Sequence, residues 1–174
     1  MGNITVTKAG ALSMKVRAAY HEAGHAVTAF CFGFVIKEVI IHYPAVDGRH
    51  GCCELGTGEL TKAKDVSAAL AFTMAGDVAE EQWSAKRLSF FKRSYSDYLN
   101  FERLFLIYRN DETVDDIFAA VERVREAVRV DYIDPNWPMV ARVANALAER
   151  GRLSGDEVRD LCAGRGLVEE MNSL

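Results

Sequence analysis

The sequence has no run rich in lysine or arginine, and its formal net charge is −4, which removes the electrostatic footprint of a nucleic-acid binder. It also lacks a long apolar stretch. The longest, Ala26 to Ile36, falls short of the about 18 residues that a membrane span needs, and Thr28 interrupts it. Met1 to Ala11 do not have the charged-then-apolar layout of a secretory signal, so a cytoplasmic protein without a membrane span is expected. No G-x-x-x-x-G-K-[ST] loop is present to cradle a nucleotide phosphate. Four cysteines, Cys31, Cys52, Cys53 and Cys162, form no C-x-x-C pair. Cys52 and Cys53 are adjacent and in a strand would point to opposite faces, so reduced, partly buried thiols are expected. There is no internal repeat and no low-complexity segment.

Against these absences stands Tyr20-His21-Glu22-Ala23-Gly24-His25-Ala26-Val27, which contains the H-E-x-x-H pattern of zinc peptidases. At about 100° per helical residue, four steps bring His25 to within about 40° of His21, one turn along the same face. Two imidazoles so placed can each give a nitrogen to one Zn²⁺ at roughly 2.1 Å. Glu22, about 100° around the helix, lies near such an ion without aiming at it, which suits a base for the metal-activated water. Ala23, Ala26 and Ala29 favour helix and Gly24 weakens it, so Gly24 predicts that another segment packs close to the backbone there.

The pattern along the chain predicts an extended lead-in over residues 1–13 and one domain over 14–174, with a metal-site half (14–109) and a helical half (110–174). The ligand helix is expected from Met14 to about Phe32, stopped by Gly33. Val35 to Ile41 is rich in β-branched residues and reads as a strand. Tyr43 to Gly48 carries turn chemistry, and His50 to Leu55 returns as a second strand. His42 and His50 flank that loop and read as ordinary loop histidines. Thr61 to Trp83 has helical periodicity with Thr61 as cap, and Ala85 to Arg93 reads as a basic, aromatic loop. A helix opening at Ser94 runs to about Tyr108, and Asn110 to Thr113 break it. Val114, Ile117, Phe118, Val121, Val124 and Val128 mark an amphipathic helix. Asp134-Pro135 reads as a cap with a proline after it, Gly151 as a stop, and Ser154 to Glu157 as a capping box. The fold class is therefore mainly α (α+β): a zincin-like ligand helix, a small antiparallel sheet, and a C-terminal helical bundle.

A catalytic zinc site needs a third protein ligand and an open position for water. A metzincin would continue H-x-x-G-x-x-H, but Thr28 and Cys31 occupy those places. A zinc deaminase would show H-x-E with P-C-x-x-C, and neither is present. Glu80, Glu81 and Asp97 remain. Ser94-x-x-Asp97 also reads as a capping box, in which the Asp97 carboxylate satisfies a backbone N–H.

The order of landmarks resembles the peptidase domain of FtsH-type, membrane-bound ATP-dependent zinc proteases. Tyr20 to Ala26 is similar to that family's His-Glu-Ala-Gly-His helix, and Lys37 to Pro44 to its next strand and proline-bearing loop. Met74-Ala75-Gly76-Asp77-Val78-Ala79-Glu80-Glu81 is similar to its Ala-Gly-Arg-x-Ala-Glu-Glu helix. Ser96-Asp97-Tyr98 is similar to the segment whose aspartate is the third zinc ligand, and Val140 to Leu161 to its closing helices. The resemblance covers roughly residues 14 to 163, and departs from the family at Asp77, at Arg93-Ser94 and after Glu81. It implies Zn²⁺ held by His21, His25 and Asp97, with Glu80 in reserve, and Glu22 as the catalytic base of a zinc metalloendopeptidase. Without an ATPase module in this stretch, peptides or unfolded chains are the expected substrates, a separate ATPase or adaptor is a possible partner, and an oligomer is possible. The alternative expectation is a catalytically silent, peptidase-like binding or adaptor module.

Overall fold

A computed structural model describes residues 8–46, 49–57, 66–85, 95–108 and 114–164. The chain is mostly helical with one small three-stranded antiparallel sheet. Helix α1 runs over Lys8–Cys31. It opens six residues before the expected Met14, so residues 8–13 are helical rather than extended; Ala9, Ala11 and Leu12 are strong helix formers. Gly33, in the left-handed region at φ 70°, ends it as anticipated.

Strand β1 (Ile36–Val46) and strand β2 (Arg49–Leu55) form an antiparallel pair in which Val39 faces Cys53 and Ile41 faces Gly51. The expected turn at Tyr43 is instead a continuation of β1. Its register with β2 slips between Ile41 and Val46, where Pro44 has no N–H for the ladder. Val39 and Ile41 are buried, so the face they share with Cys53 and Gly51 is turned inward. All four cysteines are free thiols, and burial pushes Cys162 up to about 12.

Helix α2 (Val66–Ser84) follows, then α3 (Tyr95–Tyr108) and α4 (Val114–Val128). The expected caps at Thr61 and Ser94, the 110–113 break and nearly all of the Ala85 to Arg93 loop lie outside the described residues. On α4, Val121 and Val128 are buried as their spacing predicts, whereas Phe118 is half exposed.

A π-helical turn (Arg129–Ile133) leads into α5 (Trp137–Arg150). The N-cap is Asn136, with Pro138 in the first turn, rather than Asp134 with Pro135. The stretch holds two cap–proline candidates in a row, and Asp134 is taken by the end of the π-turn, where its N–H donates to Arg129 O. Gly151, at φ 79°, closes α5 as read from the sequence. Arg152–Ser154 then forms β3, which pairs antiparallel with β1 and gives the sheet order β2-β1-β3. The C-terminal half is thus not purely helical. Helix α6 (Gly155–Cys162) starts with the expected capping box between Ser154 and Glu157.

The core sits where α1 packs against α2, α5 and β1. Its α1 and α2 faces are rich in alanine: Ala19, Ala23, Ala26, Ala69, Ala75 and Ala79 have almost no exposed surface. Small side chains let the helix axes approach closely. Gly24 marks the tightest point, because a Cβ there would sit 2.7 Å from the Ala79 Cβ and collide with the Ala75 carbonyl. Valine and leucine side chains fill the α5 side: Val140, Val143, Leu147, Leu153 and Val158 are fully buried.

Candidate metal centre

Helix α1 presents His21 and His25 on one face, as the four-residue spacing requires. Their Nε2 atoms are 3.2 Å apart. Asp97, in the first turn of α3, brings Oδ2 to 3.1 Å from His21 Nε2 and 3.4 Å from His25 Nε2. Two ligands held about 2.05 Å from one tetrahedral ion stand about 3.3 Å apart, so the three separations fit the edges of a zinc coordination sphere. The side chains of His21 and Asp97 keep 13% and 19% exposure, which leaves one side of the group open to solvent.

The far side of each ring fixes which nitrogen faces the group. His25 Nδ1 lies 2.7 Å from the Phe72 carbonyl, which can only accept, so Nδ1 donates and the Nε2 lone pair points inward. His21 Nδ1 lies 3.4 Å from Glu80 Oε2, and Arg17 Nε donates to the other oxygen of Glu80. A carbonyl behind one imidazole and a carboxylate behind the other is the arrangement that orients metal-binding histidines. With both Nδ1 atoms donating, two nitrogen lone pairs and a carboxylate oxygen converge, and such a set repels itself unless a cation or protons lie among them.

The electrostatics of the group say the same. Burial acts to lower both histidines, but Asp97, with Glu80 at His21, outweighs it: His21 is raised well above its ordinary value and His25 is raised. Burial acts to raise Asp97, yet the two histidines hold it far below the carboxylate range. The pocket therefore favours positive charge between these three side chains. Glu22, 5% exposed, is raised by burial against the pull of His21 and His25. Its carboxylate lies against β2, 2.7 Å from where a Cβ of Gly51 would stand. A carboxylate raised by burial is a stronger base than an exposed one, which suits it to accept and return a proton.

Helix α2 closes the back of the site through Gly76. A Cβ there would stand 2.7 Å from His21 Nε2 and would also strike His25 Nε2, so any larger residue would take the place of an ion or of the rings.

Of the residues singled out in the sequence, His21, Glu22, His25 and Asp97 come together. Glu80 is buried behind His21, backed by Arg17, and does not enter the His21–His25–Asp97 group. It does form a second carboxylate–histidine group with Asp77 and His21. There Arg17 pairs with Glu80 and Arg125 with Asp77, so guanidinium groups already supply the positive charge. His50 is exposed and His42 partly so, and neither joins either group among the described residues.

Sequence reading missed the aromatic clamp on this helix. Tyr20 is stacked between Trp83 of α2 at 5.4 Å and Trp137 of α5 at 5.5 Å. It also missed Arg17 and Arg125, although both left a signal. Arg17 is one turn before His21 on the same face, and Arg125 interrupts the Val121–Val128 apolar stripe. Comparison with protein-family models and with curated proteins finds no match to this chain.

Proposed function

We propose that this chain is a zinc-dependent metallopeptidase in which His21, His25 and Asp97 hold the ion and Glu22 is the base. The observation that carries the reading is the convergence of two Nε2 atoms and a carboxylate oxygen within 3.4 Å, with a buried, uncoordinated glutamate alongside. When bound, a zinc ion supplies Lewis acidity and lowers the pKa of its water toward about 7. Three ligands with one negative charge leave that ion net positive. Glu22, poised by burial, takes the proton of the attacking water and returns it to the leaving amine. His25 and His21 stay in one tautomer because Phe72 O and Glu80 accept from their outer nitrogens.

Among the described residues β2 is an edge strand of the sheet and its Gly51 lies against Glu22, which supports an extended peptide adding to that edge as a further strand. The order of landmarks shared with FtsH-type peptidase domains supports the same reaction. Peptides and unfolded chains are the proposed substrates, with a separate ATPase or adaptor as the proposed source of unfolded protein.

The test is metal content and peptidase activity of wild type, Asp97→Ala and Glu22→Gln. About one zinc per chain in wild type, loss in Asp97→Ala, and zinc without turnover in Glu22→Gln are expected. Zinc retained in Asp97→Ala would remove the third ligand from the scheme. Zinc with no cleavage of any unfolded substrate by wild type would make the chain a binding module instead.

A further inference from the structure

Asp77 is 1% exposed, follows Gly76 directly on α2, and is shared by two groups of side chains. On one side it lies with Glu80 and His21, each offering a polar atom within 4.8 Å of the others. On the other it pairs with Arg125 of α4, whose Nη1 is 3.7 Å from Asp77 Oδ2 and whose Nη2 bonds Glu81. Asp77 and Glu81 are one turn apart on α2 and bracket the guanidinium, itself only 9% exposed. Among the described residues, Asp77 is the member common to the His21 group and the Arg125 clamp.

A buried ion pair is a weak source of stability, because desolvation offsets most of its attraction. An apolar α2–α4 contact would hold the helices at least as well. The charge on Asp77 is therefore better explained by what it faces. We propose that Asp77 is a positioning residue for the candidate metal centre: among the described residues its side-chain oxygens make no hydrogen bond, and its charge, held beside His21 by Arg125, adds to that of Glu80 behind the imidazole. Helix α4, which supplies no ligand among the described residues, then sets the metal affinity of helix α1 through the chain Arg125–Asp77–His21. Glu81 shares the clamp without facing the histidine, so it separates positioning from mere helix docking.

The inference rests on the metal reading above, and zinc affinity measured by competition with a chromogenic chelator tests both separately. Wild type should bind one zinc. Asp77→Asn should weaken it 10- to 100-fold, in the range of other groups that orient a metal-bound histidine. Arg125→Lys should weaken it about 10-fold by the same route. Glu81→Gln should stay within about twofold of wild type while lowering the melting temperature of the metal-free protein as Asp77→Asn does. The visible spectrum of the Co²⁺-loaded protein should change in Asp77→Asn and not in Glu81→Gln. Asp77→Asn within twofold of wild type, or an equal loss in Glu81→Gln, overturns the proposal. If Asp77→Asn does not fold, Arg125→Lys decides, and unchanged affinity there overturns it. Wild type without zinc overturns the metal reading and this inference together.

Discussion

The two sides of α1 are built by opposite rules. Toward α5 and the sheet, large apolar side chains such as Val140, Leu147 and Leu153 fill the space, and Gly151 and Ser154 close the elements with standard caps. Toward α2 the contact is rich in alanine and glycine, with Phe72 against the His25 ring, and four ionisable groups, Glu22, His25, Asp77 and Glu80, are at most 5% exposed. Burying such groups opposes folding unless each is paired. The first side supplies cohesion and the second spends it on geometry. A fold that does both places them back to back on one helix, so that the apolar side holds the polar side still.

Substitutions should separate the two sides. Leu147→Ala opens a cavity in the apolar side and should lower unfolding stability by about 2–5 kcal/mol. Its zinc affinity should stay near wild type, and a parallel collapse of affinity would mean that the sides are not independent. Gly76→Ala should give the reverse pattern. Its new methyl group meets the ends of two imidazole rings, which can swing away at modest cost to the fold but not to the site. Zinc affinity should fall by at least a hundredfold, about 2.7 kcal/mol, in a chelator titration. Ser154→Ala removes the α6 capping box and should cost about 1 kcal/mol in denaturant unfolding, with no change in metal content.

The subtlest separation is by pH. In the metal-free protein the raised histidines contribute stability that is full below about 6.5 and is lost as pH rises through their folded values. Asp97, held low, contributes stability present above about 3.9 and lost as pH falls further. Metal-free melting temperature should therefore peak between these limits. Zinc requires the histidines deprotonated, so the stabilisation by added zinc should grow with pH over the range where the metal-free protein weakens. Parallel pH profiles with and without zinc would remove His21 and His25 from the site.

What the sequence disclosed follows the same division. The His21–Glu22–His25 stripe was legible because its spacing is local to one helix. So were Gly33, Gly151 and the Ser154 box, since caps are written in consecutive residues. That another segment packs close to α1 was legible from Gly24, but not that the segment is α2. Asp97 was one acid among several, because its approach to α1 depends on the path of the chain between α2 and α3. Strand β3 has three residues, too few for any periodicity, and exists by pairing with β1. The cap at Asn136 was hidden by the competing Asp134-Pro135 beside it. Asp77 and Arg125 lie 48 positions apart by their numbering, and no local pattern joins them.

The stacking of Tyr20 gives the molecule an optical property. Trp83 and Trp137 are the two tryptophans of the chain, and both lie against the residue that precedes His21. Nearly all of the intrinsic fluorescence excited at long ultraviolet wavelengths therefore originates one residue from the candidate centre. Metal titrations should be readable from the protein's own emission without any label, and quenching by Co²⁺ should exceed that by Zn²⁺ at equal occupancy.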